Sequence, residues 1–290
     1  MDICRQVGVV GLGLMGTAIA QRLLQADYEV VAWNRTPEKI GPLRELGAKW
    51  SDNPFRECSR VIVSLYNSDV VTEVLSQFEK AMRPGQLIID TTTGAPGDAE
   101  AMARRCSEKK VSYLEAPVSG SSAQLRRGEA TVIVGGDPTA YQGCADLWPV
   151  LGAKVFHVGG SGAASRMKLV TNLVLGLNRA ALAEGLVFAE TIGVDGEQAL
   201  QILKQSAAYA TVMDTKGDKM LQRDFTPQAK LSQHRKDLRL ILNAAEEKQA
   251  KLSLAEVHDT LLETAEAAGL GELDNSAIIE AIRLRARCAT

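Results

Sequence analysis

The sequence predicts an α/β protein: an N-terminal doubly wound parallel sheet followed by an all-α C-terminal domain, the two joined by a long interdomain helix. Three observations predict it. Short apolar, β-rich runs alternate with amphipathic stretches up to about residue 160. A glycine cluster, Gly159-Gly160-Ser161-Gly162, then interrupts the chain. Beyond it, strand patterning gives way to long helical periodicities. The expected domains are residues 1–161 and 162–290, and 290 residues with 46% hydrophobic content suffice for two developed cores.

The first apolar run, 7–10, reads as a buried parallel strand and leads into Gly11-Leu12-Gly13-Leu14-Met15-Gly16. The glycine spacing is the Rossmann dinucleotide fingerprint: Gly11 for the tight turn, Gly13 for approach to a pyrophosphate, Gly16 for close helix packing. A lone match also describes a glycine-rich turn with no ligand. Here a strand precedes it, an amphipathic stretch at 15–24 follows, and 28–33 supplies the second strand, so a nucleotide pocket is expected. Where that second strand ends, an acidic residue would bind the ribose of NAD, but this chain has Asn34, Arg35 and Thr36. A guanidinium pairs with a 2′-phosphate, and Asn34 and Thr36 add neutral donors, so the expected cofactor is NADP, with NADPH preferred over NADH. A solvated arginine beside a turn is the alternative.

Further strands are expected at 61–65, 87–90, 111–115 and 131–134. The segment 120–128 followed by 131–135 reads as a late antiparallel excursion at the sheet edge. Helical periodicity then covers 169–191, 198–204, 232–248 and 255–268, with a final helix from Ser276. The stretch 163–192 is apolar nearly all round, which predicts a buried spine about 45 Å long. Its polar exceptions, Lys168 and Asn172, lie four apart on one face. Lys168 either snorkels out of a packed helix or serves as a tuned proton donor, with Asn172 holding it or the substrate oxygen.

The net charge of −2, with no basic stripe, argues against nucleic acid. Cys4, Cys58, Cys106, Cys144 and Cys288 are scattered and odd in number, and read as reduced thiols in a cytoplasmic protein. His157, His234 and His258 lack metal-ligand spacing, so packing or surface roles and no metal are expected. A first strand near residue 5 leaves no room for a signal or transit peptide. No charge-free apolar segment spans a bilayer, although the helix after Met167 comes close.

Five motifs stand in a familiar order: Gly11 to Gly16; Asp90-Thr91-Thr92-Thr93; Glu115-Ala116-Pro117-Val118-Ser119-Gly120-Ser121; Gly162 through Lys168 to Asn172; and Lys236-Asp237-Leu238. In this the chain resembles, over essentially its whole length, the β-hydroxyacid dehydrogenase family of 3-hydroxyisobutyrate dehydrogenases, tartronate semialdehyde reductases and glyoxylate/succinic semialdehyde reductases. The resemblance implies that Lys168 is the catalytic lysine, with Asn172 as its companion. It implies that Thr93 contacts the nicotinamide end, that Leu65 and Tyr66 line the cofactor path, and that Lys236 contacts the cofactor. Ser119, Gly120 and Ser121 match the loop that holds a substrate carboxylate, and Asp237 fixes its neighbours or closes the site. Thr171 stands where the family often has the first of two asparagines, which resembles the glyoxylate/succinic semialdehyde reductase branch. The loop 121–127 departs from the usual glycine-rich and alanine-rich version. Its Arg126 and Arg127 either bring a cation toward a dianionic substrate or are solvated hairpin residues.

The expected function is NADP-dependent hydride transfer between the nicotinamide and a small carboxylate-bearing aldehyde or β-hydroxyacid. Lys168 is the expected proton donor or acceptor, in a homodimer or homotetramer. A non-catalytic NADPH-binding sensor or interaction module is a rival, as is an imine reductase of related architecture, which would be expected to replace the lysine.

Overall fold

The computed structural model describes residues 5–287, so Cys4 and Cys288 lie outside the described residues. The chain forms two compact units that part between Lys168 and Leu169.

In unit 1, β1 (Gln6–Val10), β2 (Glu29–Trp33), β3 (Lys49–Trp50), β4 (Arg60–Val63), β5 (Leu87–Asp90) and β6 (Ser112–Glu115) form one sheet in the order β3-β2-β1-β4-β5-β6. Every pair in it is parallel. Its connections carry α1 (Leu14–Gln25), α2 (Gly41–Arg44), α3 (Pro54–Glu57), α4 (Ser68–Phe78) and α5 (Pro96–Glu108). Period-2 alternation sends Val7, Val9, Ile62 and Ile89 to one core, with Ile19 and Leu23 of α1. Val10, Val61, Val63 and Ile88 go to another, with Phe55 and Leu75. Strand order reverses between β1 and β4, so the carboxyl ends of these strands frame the crevice where doubly wound sheets bind ligands.

The excursion after β6 differs from expectation. It is a separate three-stranded sheet, β7 (Val118–Ser119), β8 (Thr131–Val134) and β9 (Lys154–His157), with β7 antiparallel and β9 parallel to β8. A single bridge, Glu115 to Gly135, links it to β6. The 120–128 segment is no hairpin, because Ser121-x-x-Gln124 is a capping box that starts a short helix, α6 (Ser122–Arg126). Arg126 closes that helix and donates to Gln21 and Arg127 pairs with Glu129, both exposed in the connection between the antiparallel strands β7 and β8. Two further helices, α7 (Pro138–Gln142) and α8 (Trp148–Leu151), lie between β8 and β9.

Helix α9 (Ala163–Thr191) begins in unit 1 and runs into unit 2. The units therefore part seven residues later than the expected 161/162 boundary. The glycines mark where the helix starts, whereas packing assigns its first turns to unit 1. Unit 2 continues with α10 (Gly196–Gln205), α11 (Val212–Gln222), α12 (Leu231–Glu247), α13 (Ser253–Ala267) and α14 (Ile278–Arg287). Its core gathers Leu182, Leu186, Leu238, Ile241, Leu262 and Ile279. Helix α9 is long and apolar enough, by length and composition, to cross a membrane. It is not buried all round as expected: Met167, Val170, Val174 and Phe188 form an exposed stripe. Apolar composition specifies that a helix face is to be covered, but not by what.

Candidate active site

The glycine loop is shaped by sterics. Gly11 has φ +99°, and a Cβ there would meet Leu65 Cδ2 at 2.9 Å and the Ser64 carbonyl oxygen, while one on Gly16 would collide with the Gly11 carbonyl oxygen. At Gly13 a Cβ would meet nothing within 4 Å, so the space in front of α1 is open. Helix α1 has no side-chain cap and no acidic residue in its first turn. Its unsatisfied N–H groups and positive dipole end therefore suit a pyrophosphate, and this part of the site fits a dinucleotide. Leu14 is exposed and Met15 half-buried beside it.

Asn34, expected to add a neutral donor, is hydrogen-bonded within the chain. Its Oδ1 accepts from Leu12 N (2.9 Å) and its Nδ2 donates to the Thr36 carbonyl (2.9 Å), so it ties the end of β2 to the glycine loop. Arg35 and Thr36 are exposed beyond it. After β4, Leu65 is half-buried and Tyr66 half-exposed. Leu65 N donates to Thr92 Oγ1 (3.1 Å), which joins the loop after β4 to the one after β5. Thr91 Oγ1 donates to the Val63 carbonyl and Thr92 N to Asp90 Oδ1, leaving Thr93 half-buried at the end of a stitched turn. Burial raises the Asp90 carboxyl above its ordinary value against hydrogen bonds from Thr92 and Tyr113. The Tyr113 hydroxyl is raised further, by burial and then by the Asp90 charge.

Ser119 lies on β7, Gly120 follows at φ +144°, and Ser121 caps α6. The Ser121 amide donates to Gln124 Oε1 (2.8 Å) and its hydroxyl oxygen accepts from Gln124 N (3.2 Å). That backbone donor, expected to face a substrate carboxylate, is therefore engaged, and the hydroxyl proton is what Ser121 can offer. One strand position earlier, the Val118 carbonyl accepts from Lys168 Nζ at 2.7 Å, with the lysine buried. A snorkelling lysine is thereby excluded: the side chain turns inward and ends on the segment that carries Ser119.

In unit 2, Asn172 lies one turn beyond Lys168 on the same face of α9. Its Nδ2 donates to Asp237 Oδ2 on α12 at 2.9 Å, both residues being buried. Lys236 Nζ lies 2.9 Å from Asp237 Oδ1 in an ion pair that lacks hydrogen-bond geometry. Asn172, Asp237 and Lys236 thus form one cluster.

Three features escaped the sequence reading. Glu115 is a buried carboxylate that accepts from Gly162 N, Ser165 N and Ser165 Oγ at the start of α9. His234 and His258 meet Nε2 to Nε2 at 2.9 Å against Gly176, where a Cβ would lie 2.7 Å from His234. An isolated glycine inside a helical pattern was the available signal for that contact. Arg179 is buried with Nε and Nη1 unpartnered, and burial lowers it to about 10. It sits seven residues after Asn172, on the face already marked by Lys168. Among the described residues no three His, Cys, Asp or Glu side chains gather as metal ligands. Burial raises the Cys106 thiol to about 11 and that of Cys144 to about 12, which disfavours their thiolates.

Residues 6–159 match the family described as the NAD binding domain of 6-phosphogluconate dehydrogenase. Residues 162–282 match the NAD-binding family of NADP-dependent 3-hydroxyisobutyrate dehydrogenase. The chain is 32% identical to L-threonate dehydrogenase of Cupriavidus necator, over 95% of each. It is 30% identical to glyoxylate/succinic semialdehyde reductase 1 of Arabidopsis thaliana, over 96% of this chain and 98% of that one. Among solved structures, 3-hydroxyisobutyrate dehydrogenase from Salmonella typhimurium superposes with a TM-score of 0.88 at 26% identity, covering 95% and 99% of the two chains. Psf3, in complex with NADP+ and 2-OPP, gives 0.87 at 26% over the same shares. An imine reductase from Pseudomonas sp. gives 0.67 at 26%, covering 96% and 99%. An NAD(P)-binding oxidoreductase with a helical C-terminal unit, the chain belongs to the β-hydroxyacid dehydrogenase family.

Proposed function

We propose that the protein is an NADP-dependent semialdehyde reductase or β-hydroxyacid dehydrogenase in which Lys168 gives or takes the proton. The observation that carries this reading is Lys168 buried against Val118 O, next to Ser119, with Asn172 one turn further along α9. When bound, the nicotinamide supplies or accepts the hydride. Lys168 donates a hydrogen bond to Val118 O, and its ammonium is the proton donor to an alkoxide. Asn172, steadied by Asp237, offers an oriented amide to the same oxygen. Ser119, Gly120 and the Ser121 hydroxyl hold the substrate carboxylate, and positioning then contributes much of the rate.

Arg35 supports NADP over NAD, with a 2′-phosphate as its partner, and a structural relative holds NADP+. Thr93, Leu65, Tyr66 and Lys236 are the proposed remaining cofactor contacts. The stripe at Met167, Val170, Val174 and Phe188 supports a homo-oligomer, checked by light scattering.

The test is initial-rate measurement of NADPH and NADH oxidation with glyoxylate, succinic semialdehyde, tartronate semialdehyde and methylmalonate semialdehyde, and of NADP+ reduction with L-threonate. Turnover that prefers NADPH supports the reading. NADPH binding without turnover on any of them would shift it to a nucleotide sensor.

A further inference from the structure

Glu115 ends β6 inside the protein, 3% exposed. Its charge is met by the start of α9. Oε1 accepts from Gly162 N, and Oε2 accepts from Ser165 N (3.0 Å) and from the Ser165 hydroxyl. Three donors on one buried carboxylate, at the positive end of a 29-residue helix, make a strong cap supplied by a distant strand. The space is tailored to it: a Cβ on Gly135 would lie 2.8 Å from Glu115 Oε1 and 2.9 Å from Ala164 N. Lys168 follows Ser165 by one turn, and its Nζ returns to Val118 O, three residues after Glu115. The segment 115–118 therefore grips the helix at its first turn and the lysine at its tip, closing a ring through β6, β7 and α9.

We propose that Glu115 is a positioning residue whose carboxylate, by capping α9, fixes where Lys168 presents its ammonium beside Ser119. The inference rests on the proposed role of Lys168 in proton transfer. Loss of the carboxylate frees the first turn of α9, and the lysine then samples orientations away from the reacting oxygen.

The first test is independent of substrate. Acylation of native protein by acetic anhydride, read by peptide mass spectrometry, compares Lys168 with Lys216, a buried lysine paired to Asp274 in unit 2. Glu115→Gln is expected to speed labelling of Lys168 roughly tenfold and leave Lys216 unchanged. Equal acceleration of both lysines, or of neither, overturns the proposal.

The second test is a double-mutant cycle on the best substrate of the panel above, with NADPH affinity measured alongside. Glu115→Gln should lower kcat by about ten- to a hundredfold with cofactor affinity within about threefold, yet change the residual or methylamine-rescued rate of Lys168→Ala by less than about twofold. Additive losses in the two backgrounds would mean that Glu115 acts without Lys168. If Lys168→Ala itself turns over normally, the proton-transfer reading fails while the labelling result still judges the cap. Should Glu115→Gln fail to fold, Ser165→Ala removes one of the three bonds and is expected to show the same pattern at severalfold size.

Discussion

The two units bury polar groups in different ways. In unit 1 the strand middles are apolar and buried polar side chains gather at strand ends. Asp90, Thr92 and Glu115 stand at the carboxyl edge, while Arg60, bonded to Asp146, and Gln86, bonded to the Phe55 and Cys58 carbonyls, stand at the other. In unit 2 most of them lie within helices, Asp274, Asn275 and Ser276 in the turn ahead of α14 excepted. Lys216 on α11 pairs with Asp274, Arg179 sits mid-way along α9, and His234 of α12 meets His258 of α13. Arg235 is clamped by Asp259, Glu263 and Glu266 of α13. A parallel sheet satisfies its own backbone along the ladder and forces its loops to the edges, so topology collects polar chemistry there. A helical bundle has no such edge, and its buried Lys216, His234 and Arg235 are met by partners on facing helices and turns.

If this contrast is right, removing buried polar groups should cost catalysis at the carboxyl edge of unit 1 and, outside the Asn172–Asp237–Lys236 cluster, stability in unit 2. The largest effect is expected from Lys168→Ala at the junction: turnover should fall by about 10²- to 10⁴-fold with NADPH affinity nearly intact. Near-native turnover would break the comparison at its centre.

Asp274→Ala should destabilise unit 2 by about 3–5 kcal/mol, because Lys216 and the amides of Gln228 and Ser276 lose their acceptor. Isolated NADPH binding by unit 1 residues should survive below the new melting point. The pH dependence has a definite sign. Burial raises the Asp274 carboxyl, but the Lys216 charge and the hydrogen bonds outweigh it and hold it below the ordinary value. Burial lowers the Lys216 ammonium, and Asp274 opposes that. The many donors on Asp274 make its depressed value the firmer direction. Its stabilisation is thus complete above the unfolded carboxylate value of about 4 and lost as pH falls through the folded one. Melting curves from pH 7 to 3 should show that loss in the native protein and not in Asp274→Ala.

If Arg35 pairs with a 2′-phosphate as proposed, Arg35→Ser should lower the NADPH-to-NADH ratio of catalytic efficiencies by about ten- to a hundredfold, the size of a charge-assisted phosphate contact, without changing the melting temperature. An unchanged ratio would move 2′-phosphate recognition elsewhere. The smallest effect is expected from Gly176→Ala, at about 1–3 kcal/mol. Its methyl group would press on His234 and spread α9 from α12 one turn from the Asn172–Asp237 bond. Here kcat should drop along with stability, since this contact lies next to the site cluster.

Much of unit 1 was legible because its signals are local. The glycine loop, the runs at 87–90 and 131–134 and the alternating helices each follow from short-range sterics and period. What escaped were two-residue pairings such as β3 and β7, and β9, whose Lys154 and Phe156 face outward. Helix α11 also escaped, its pattern broken by Gly217 against Leu200. In the site, Lys168 and Asn172 could be placed on one helix face from spacing alone. The donor and acceptor assignments could not, since they depend on partners far along the chain. Asn34 Oδ1 accepts from Leu12 N and the Ser121 hydroxyl oxygen accepts from Gln124 N, pairings that residue type and spacing do not specify.

The alternation of the longer strands and helices, the nucleotide-shaped turn and the spacing of Lys168 and Asn172 were determined by the sequence alone, because each rests on contacts within about a dozen residues. Tertiary structure alone decided that Glu115 holds the start of α9, that Lys168 turns inward onto Val118, and that α9 leaves one apolar stripe uncovered. These join residues that are neighbours only after the chain has folded, and no local propensity encodes which partner a buried charge will find.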